Sequence, residues 1–351
     1  MELETLLRQA VAEDASDIFI VAGIPVSFRK NGLVSRMDSP RLLPPDTETL
    51  VRQIYQLAGD RDMRLMDDGD DDFSFSIPGL SRFRVNVYKQ RGALSAVIRV
   101  ITFQLPDPRA LGIPEAVMCL GDERKGMVLV TGPAGSGKST TLACIIDRIN
   151  RTRQEHIITL EDPLEFLHRH DKSIVSQREV SVDTQSYVSA LRAALRQSPD
   201  VILLGEMRDY ETISVAMTAA ETGHLLLSTL HTVGAANTIG RIVDVFPANQ
   251  QQQVAAQLSM VLRAVVSQQL VPTLDGRETA AFEIMTVTPA IRNMIRENKV
   301  HQIDGVIYSS AKDNMVAMDT SLLRLYQQKV ISRNTALTFA TNPDMLAKKL
   351  G

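Results

Sequence analysis

The chain has 351 residues, room for two domains at the usual size of about 100–200 residues each. Hydrophobic residues make up 44% and charged residues 23%, the balance of an ordinary folded protein. A formal net charge of −3 excludes a chain that coats nucleic acid by bulk charge, so no nucleic-acid partner is expected.

In chain order, "MELETLLRQAVAEDASD" predicts an acidic amphipathic helix. It has no basic start followed by an apolar core, so no secretory signal is expected. A transmembrane helix is not expected either, since no run of about 18 apolar residues occurs. "DIFIVAG" and "PVSFRKNGLV" predict short strands joined by Gly and Pro turns, and "PPDTETLVRQIYQLA" a helix opened by Pro-Asp-Thr. The acidic turn "DDGDDDFSFSIPG" leads into alternation, and "SRFRVNVYKQRGALSAVIRVI" predicts a hairpin turning near Arg91-Gly92. "TFQLPDPRALGIP", with three prolines, marks a linker over 102–114. The predicted domains are therefore 1–101 and 115–351.

Beyond the linker, the apolar runs "GMVLVTG", "EHIITLED", "PDVILLGE" and "GHLLLSTLH" alternate with helical segments, the pattern of a parallel sheet buried on both faces. "QQQVAAQLSMVLRAVVSQQLV" and roughly the last 60 residues read as mainly helical by their period. Cys119 and Cys144 lie in apolar runs without metal-ligand spacing and are expected to be buried free thiols.

The strongest chemical signal is Gly132-Pro133-Ala134-Gly135-Ser136-Gly137-Lys138-Ser139, a full G-x-x-x-x-G-K-[ST] motif set between a strand and a helix, with Thr140 following. Glycines let the backbone fold around a β-phosphate with its N–H groups inward, and the helix start adds its positive end. Lys138 suits the β- and γ-phosphates of ATP, and the Ser139 hydroxyl suits Mg²⁺. Hydrolysis further needs metal support, a water-positioning base and positive charge at the γ-phosphate. Three later strands end in polar groups, where open parallel sheets bind ligands. The first ends in Glu161 and Asp162, with Glu165 past Pro163. The second ends in Glu206, followed by Arg208 and Asp209, and the third in Thr229 and His231. Glu206 holds the place of a Walker-B acid that binds Mg²⁺. Glu165 or Glu161 is the candidate to polarise the attacking water, and His231 to sense the γ-phosphate. His224, at the far end of its strand, reads as structural.

With these boxes together, the chain resembles the type II/IV secretion and pilus ATPase family. The resemblance rests on "GPAGSGKSTT", "TLEDPLEF", "DVILLGEMRD" and "TGHLLLSTLHT", and in the N-terminal part on "ASDIFIVAG" and "SRFRVNVYKQRG". "PAIRNMIRE" is similar to the motif of the family's retraction branch, with Met294 where leucine is usual. Phe19 and Ala134 depart from the family's commoner His and Thr. The resemblance implies an α/β fold, a RecA-like P-loop NTPase core with a smaller PAS-like α+β N-terminal domain. It also implies a cytoplasmic homo-hexamer, peripheral at the inner face of the membrane, that hydrolyses ATP to retract a type IV pilus through an inner-membrane platform protein. A paralogous retraction ATPase is a possible partner. Alternatives within the fold are an accessory paralogue, or an assembly or type II secretion ATPase. In the family picture Arg84 and Arg99 match the arginines that reach the γ-phosphate.

By its residues alone, the stripe Ile291, Met294 and Ile295 favours an ordinary helix docked on its own domain over a partner-binding helix. The resemblance reverses that preference, because it implies that the motif is needed for retraction.

Overall fold

The computed structural model describes residues 2–30, 32–59, 69–101, 103, 105–309 and 314–350. Asp67 and Asp68 of the acidic turn, and Thr102 and Gln104 of the expected linker, lie outside them. The chain divides into two compact units, residues 1–104 with 165–167, and residues 105–164 with 168–351.

In the N-terminal unit, α1 (Leu3–Ala12) buries Leu3, Leu6, Leu7 and Ala10, the i, i+3, i+4, i+7 stripe of an amphipathic helix. α2 (Pro44–Leu57) starts with Pro at its first positions and closes a capping bond from the Leu43 N–H to Asp46. Both helices share a core with the sheet residues Ile18, Ile20, Phe28, Phe83, Val85 and Ile98. That sheet is antiparallel throughout, in the order β3-β2-β1-β6-β5-β4. Its strands are β1 (Asp17–Ile20), β2 (Ser27–Lys30), β3 (Leu33–Arg36), β4 (Asp70–Ile77), β5 (Ser81–Gln90) and β6 (Ala93–Ile101). β5 and β6 turn through Arg91 and Gly92, both at positive φ (51° and 81°), the two-residue turn whose twist matches a hairpin.

The C-terminal unit is built on a second sheet, ordered β13-β12-β7-β11-β10-β8-β9. The strands are β7 (Gly126–Thr131), β8 (His156–Glu161), β9 (Ile174–Glu179), β10 (Val201–Leu204), β11 (Leu225–Leu230), β12 (Leu262–Pro272) and β13 (Glu278–Thr286). All neighbours are parallel except β12 and β13. β7, β10 and β11 are buried at every position, which is why their sequences run apolar without alternation. The helices are α3 (Glu115–Met118), α4 (Lys138–Thr152), α5 (Tyr187–Ala194), α6 (Tyr210–Glu221), α7 (Ala235–Asp244), α8 (Gln251–Val261), α9 (Pro289–Arg296), α10 (Ile303–Ser309), α11 (Met318–Gln327), α12 (Arg333–Thr338) and α13 (Pro343–Leu350).

Two expectations are corrected. The segment 251–271 is helical only to Val261. The rest is β12, which pairs with β7 and β13. An apolar run of this length has no period that separates a buried strand from a helix, and pairing with β7 and β13 decided it. Cys119 is exposed, on the turn after α3, with its Sγ 3.4 Å from Glu115 Oε1. Cys144 is buried as expected, and burial pushes its thiol up to about 11. In α9, Ile291 and Ile295 are buried and Met294 packs on the same core, so the apolar stripe docks on its own unit. Among the described residues no helix is long and apolar enough to cross a membrane.

Candidate active site

The glycine-rich loop leaves the C-terminal end of β7 and runs into α4. Its shape is set from below by Gln268 of β12. Gly132 sits at φ 143°, and a Cβ there would lie 2.1 Å from the Gln268 carbonyl oxygen. At Gly137 (φ 84°) a Cβ would lie 2.9 Å from Gln268 Nε2. The same side chain accepts a 2.7 Å hydrogen bond from Thr141 on the first turn of α4. At Gly132 the backbone contact leaves room for glycine alone, and at Gly137 the positive φ favours glycine. Pro133, Ala134 and Gly135 are exposed at the crest, Ser136 is buried, and Ser139 and Thr140 are half-buried on the first turn of α4. Lys138 is 8% exposed, and its amine donates to the carbonyls of Gly132 (2.9 Å) and Pro133 (2.8 Å). The cation is therefore held inside the curl of the loop, where a phosphate bound by the loop amides would meet it.

The sheet order ranks the other polar groups by distance. β11 is next to β7, β10 lies beyond it, and β8 beyond that. At about 4.8 Å per strand, the ends of β11, β10 and β8 stand roughly 5, 10 and 14 Å from the end of β7. His231, just past β11, meets Glu206, just past β10, with 3.1 Å between Nε2 and Oε2. Arg208 pairs with the other oxygen of Glu206. The Glu206 side chain is 12% exposed against 56% for His231 and 73% for Arg208, so an inner carboxylate is gripped by two outer groups. That pairing raises the affinity of the Arg208 guanidinium for its proton. Glu161 ends β8 half-buried, 3.5 Å from the Gln177 amide nitrogen. Glu165 is exposed on the loop after β8, within the 165–167 stretch that groups with the N-terminal unit. His224 is structural: its Nδ1 is 2.9 Å from the Ala219 carbonyl at the end of α6.

Arg84 and Arg99 belong to the N-terminal sheet, directly opposite one another on β5 and β6. Fifteen residues apart in sequence, they are cross-strand neighbours. Like charges so placed repel, and each arginine has an acid on its outer side. Arg84 pairs with Asp72 of β4 (3.2 and 2.7 Å), and Arg99 with the buried Asp17 of β1 (3.1 Å), which also faces Arg29 of β2 at 3.9 Å. The result is a charged row, Asp72-Arg84-Arg99-Asp17-Arg29, across five strands.

The profile of the family described as "Type II/IV secretion system protein" matches residues 2–337. The chain belongs to that family. It is 45% identical over 345 residues to the type IV pilus retraction ATPase PilT of Pseudomonas aeruginosa, covering 98% of this chain and 99% of that one. It is 40% identical over 354 residues to the type IV pilus ATPase PilU of the same organism, covering 100% and 92%. Among solved structures, the pilus retraction motor PilT with bound ADP superposes with a TM-score of 0.88 at 44% identity, covering 99% of each chain. The two-sheet α/β fold is that of this family, as the four boxes implied.

Three contributors escaped the sequence reading. Gln268 lies 127 residues from the Thr141 it bonds, in a segment taken for helix. The trace it leaves is the polar pair Gln268-Gln269 inside an apolar run. Arg208 was visible only as a neighbour of Glu206. Tyr187, at the start of α5, brings its hydroxyl against Gly205 at the end of β10. Burial first, then the charges of Asp162, Glu206 and Glu161, push its pKa well above the ordinary phenol value.

Proposed function

We infer that this chain is an ATP-hydrolysing motor that powers type IV pilus retraction, releasing ADP and phosphate. The observation that carries the reading is the complete strand-loop-helix cradle, with Lys138 inside it and the His231–Glu206 pair on the next two strand ends. The names of the relatives direct that ATPase to the pilus. The loop amides and Lys138 hold the β- and γ-phosphates. Ser139 and Glu206 are oxygen donors at the loop end of one sheet, the donor type that Mg²⁺ takes, and the ion would neutralise charge on the phosphates. Glu165 or Glu161 draws a proton from the attacking water. His231, hydrogen-bonded to Glu206, reports the state of the γ-phosphate to β11. Arg84 and Arg99 supply positive charge to the γ-phosphate, so that domain closure follows ATP and relaxes with phosphate release. The working form is a homo-hexameric ring at the cytoplasmic face of the inner membrane, acting through the pilus platform protein.

The test is Lys138→Ala, purified and also placed in a strain lacking the parent gene. The expected result is loss of ATPase activity with the fold retained, excess pili and no twitching. Unchanged turnover would remove the site assignment, and loss of pili would make the chain an assembly motor. Likeness to PilU favours one second reading, an accessory retraction ATPase. It predicts that deletion slows retraction without abolishing it.

A further inference from the structure

At the acidic end of the C-terminal sheet, beside the Gln177 amide and the Thr229 hydroxyl, stands a phenol that the assigned roles do not use. Tyr187 is the first residue of α5, whose start is fixed by the Ser186 hydroxyl accepting from the Ser189 N–H at 3.2 Å. Its ring packs on the main core of the unit, so the side chain has little freedom. Its hydroxyl reaches the end of β10 at Gly205, the residue before Glu206. A Cβ built on Gly205 would stand 2.7 Å from that oxygen, and 3.2 Å from the Leu160 carbonyl on the neighbouring β8. The absence of a side chain at 205 is thus what admits the phenol between the ends of β8 and β10. The same Cβ would stand 3.4 Å from the Glu161 Cα, and the charges of Asp162, Glu206, Glu161 and Arg208 all act on the phenol. Ionised carboxylates accept hydrogen bonds and cannot donate them, whereas a phenol donates.

We propose that Tyr187 is a positioning residue of the hydrolytic site: its hydroxyl, lodged against Gly205, donates into the space shared by the carboxylates at the ends of β8 and β10. It thereby fixes the acceptor directions of those acids and the water between them. This rests on the hydrolytic reading of the site. A fixed donor matters most when charge moves during the reaction, because it costs no reorganisation then. The contribution therefore falls on turnover and not on nucleotide binding.

Tyr187→Phe removes one oxygen and keeps the ring in the core. The ATPase of the assembled protein is measured first in the parent, then in this variant, at saturating ATP and Mg²⁺ and as a function of each. The expected result is a fall in kcat of about tenfold, the scale of one hydrogen bond to a charged group, with KM for ATP within about twofold and Tm unchanged. Gly205→Ala drives a methyl group onto the hydroxyl and is expected to lower kcat in the parent. It should lower it less in the Tyr187→Phe background, where the collision is relieved. Unchanged kcat in Tyr187→Phe overturns the inference, as does a loss of Tm with kcat retained. So does a Gly205→Ala loss of equal size in both backgrounds. A parent without ATPase activity would overturn the hydrolytic reading itself, and the inference with it. An active parent with an indifferent Tyr187→Phe overturns the inference alone.

Discussion

At the loop end of the C-terminal sheet, polar groups begin where strands stop. Leu204, Leu230 and the body of β8 are buried; Glu206 follows Leu204 after Gly205, His231 follows Leu230, and Glu161 is the last residue of β8. In the N-terminal sheet the charges sit inside the strands. Arg84 lies within β5, where every second side chain is buried, and Arg99 within β6. The parallel sheet has no free face, so its chemistry is confined to its ends, and a ligand must come to the edge. The antiparallel sheet packs its helices against one face and can offer charge over an area on the other. The difference suits the two tasks assigned to them: strand ends for chemistry on a fixed phosphate, and a charged face for attraction that changes as the phosphate changes.

The largest expected effect tests whether the water-activating acid lies at a strand end or on the loop that follows it. Glu165→Gln keeps size and hydrogen bonding while removing the charge. Turnover is expected to fall by about 10²-fold or more, the usual scale for loss of a general base, with ATP binding retained. Glu161→Gln is the control. It stands about three strand spacings, roughly 14 Å, from the glycine-rich loop along the sheet. Single-turnover hydrolysis with a parallel binding measurement separates the two. If Glu161→Gln binds ATP and is dead while Glu165→Gln turns over, the base is the residue on the strand end and not the one on the loop.

The same contrast explains what could be read from sequence. The glycine-rich loop, the strands that end in Glu161, Glu206 and His231, and the Arg91-Gly92 hairpin are local: a turn residue or an apolar run carries each. α1 and α2 were legible from their periods and starts. What was not legible depended on distant partners. Strand β12 follows α8 directly, and only its pairing with β7 makes it a strand. The fit of Gln268 beneath two glycines, and of Tyr187 against Gly205, joins residues far apart in sequence. The pairing of Asp17 and Asp72 with the two arginines was not legible, because nothing local shows that β1 and β4 flank the two arginine strands. Cys119 was misplaced for a related reason: an apolar neighbourhood in sequence does not say which side of a short turn faces out.

An intermediate effect tests the charged face. A ligand shifts an equilibrium only by its differential affinity for the two states. If Arg84 and Arg99 respond to the γ-phosphate, Arg84→Ala and Arg99→Ala should weaken binding of a non-hydrolysable ATP analogue several-fold and slow hydrolysis. ADP affinity should stay near the parent value, and rings should still form. Equal losses for ADP and the analogue would count against the γ-phosphate role. Loss of folding would return both arginines to the structure of the hairpin.

The smallest effect concerns Asp17, which decides how freely Arg99 can act. Its side chain is 7% exposed, accepts from Arg99 Nε at 3.1 Å and from the Ser16 hydroxyl at 2.9 Å, and lies 3.9 Å from Arg29. Asp17→Asn keeps the shape and removes the charge. Two opposed arginines then lose a counter-charge on one side, which destabilises the N-terminal sheet. Arg99 is 65% exposed, so water screens much of that loss, and about 1 kcal/mol is the expected scale. Asp17 also competes with any phosphate for the same guanidinium. Its neutral replacement should therefore raise affinity for the ATP analogue by about two- to threefold while leaving ADP unchanged, a gain in one ligand set against a small fall in Tm. If Tm falls and neither affinity moves, the charged row serves the sheet alone, and the contrast between strand ends and sheet face loses its functional half.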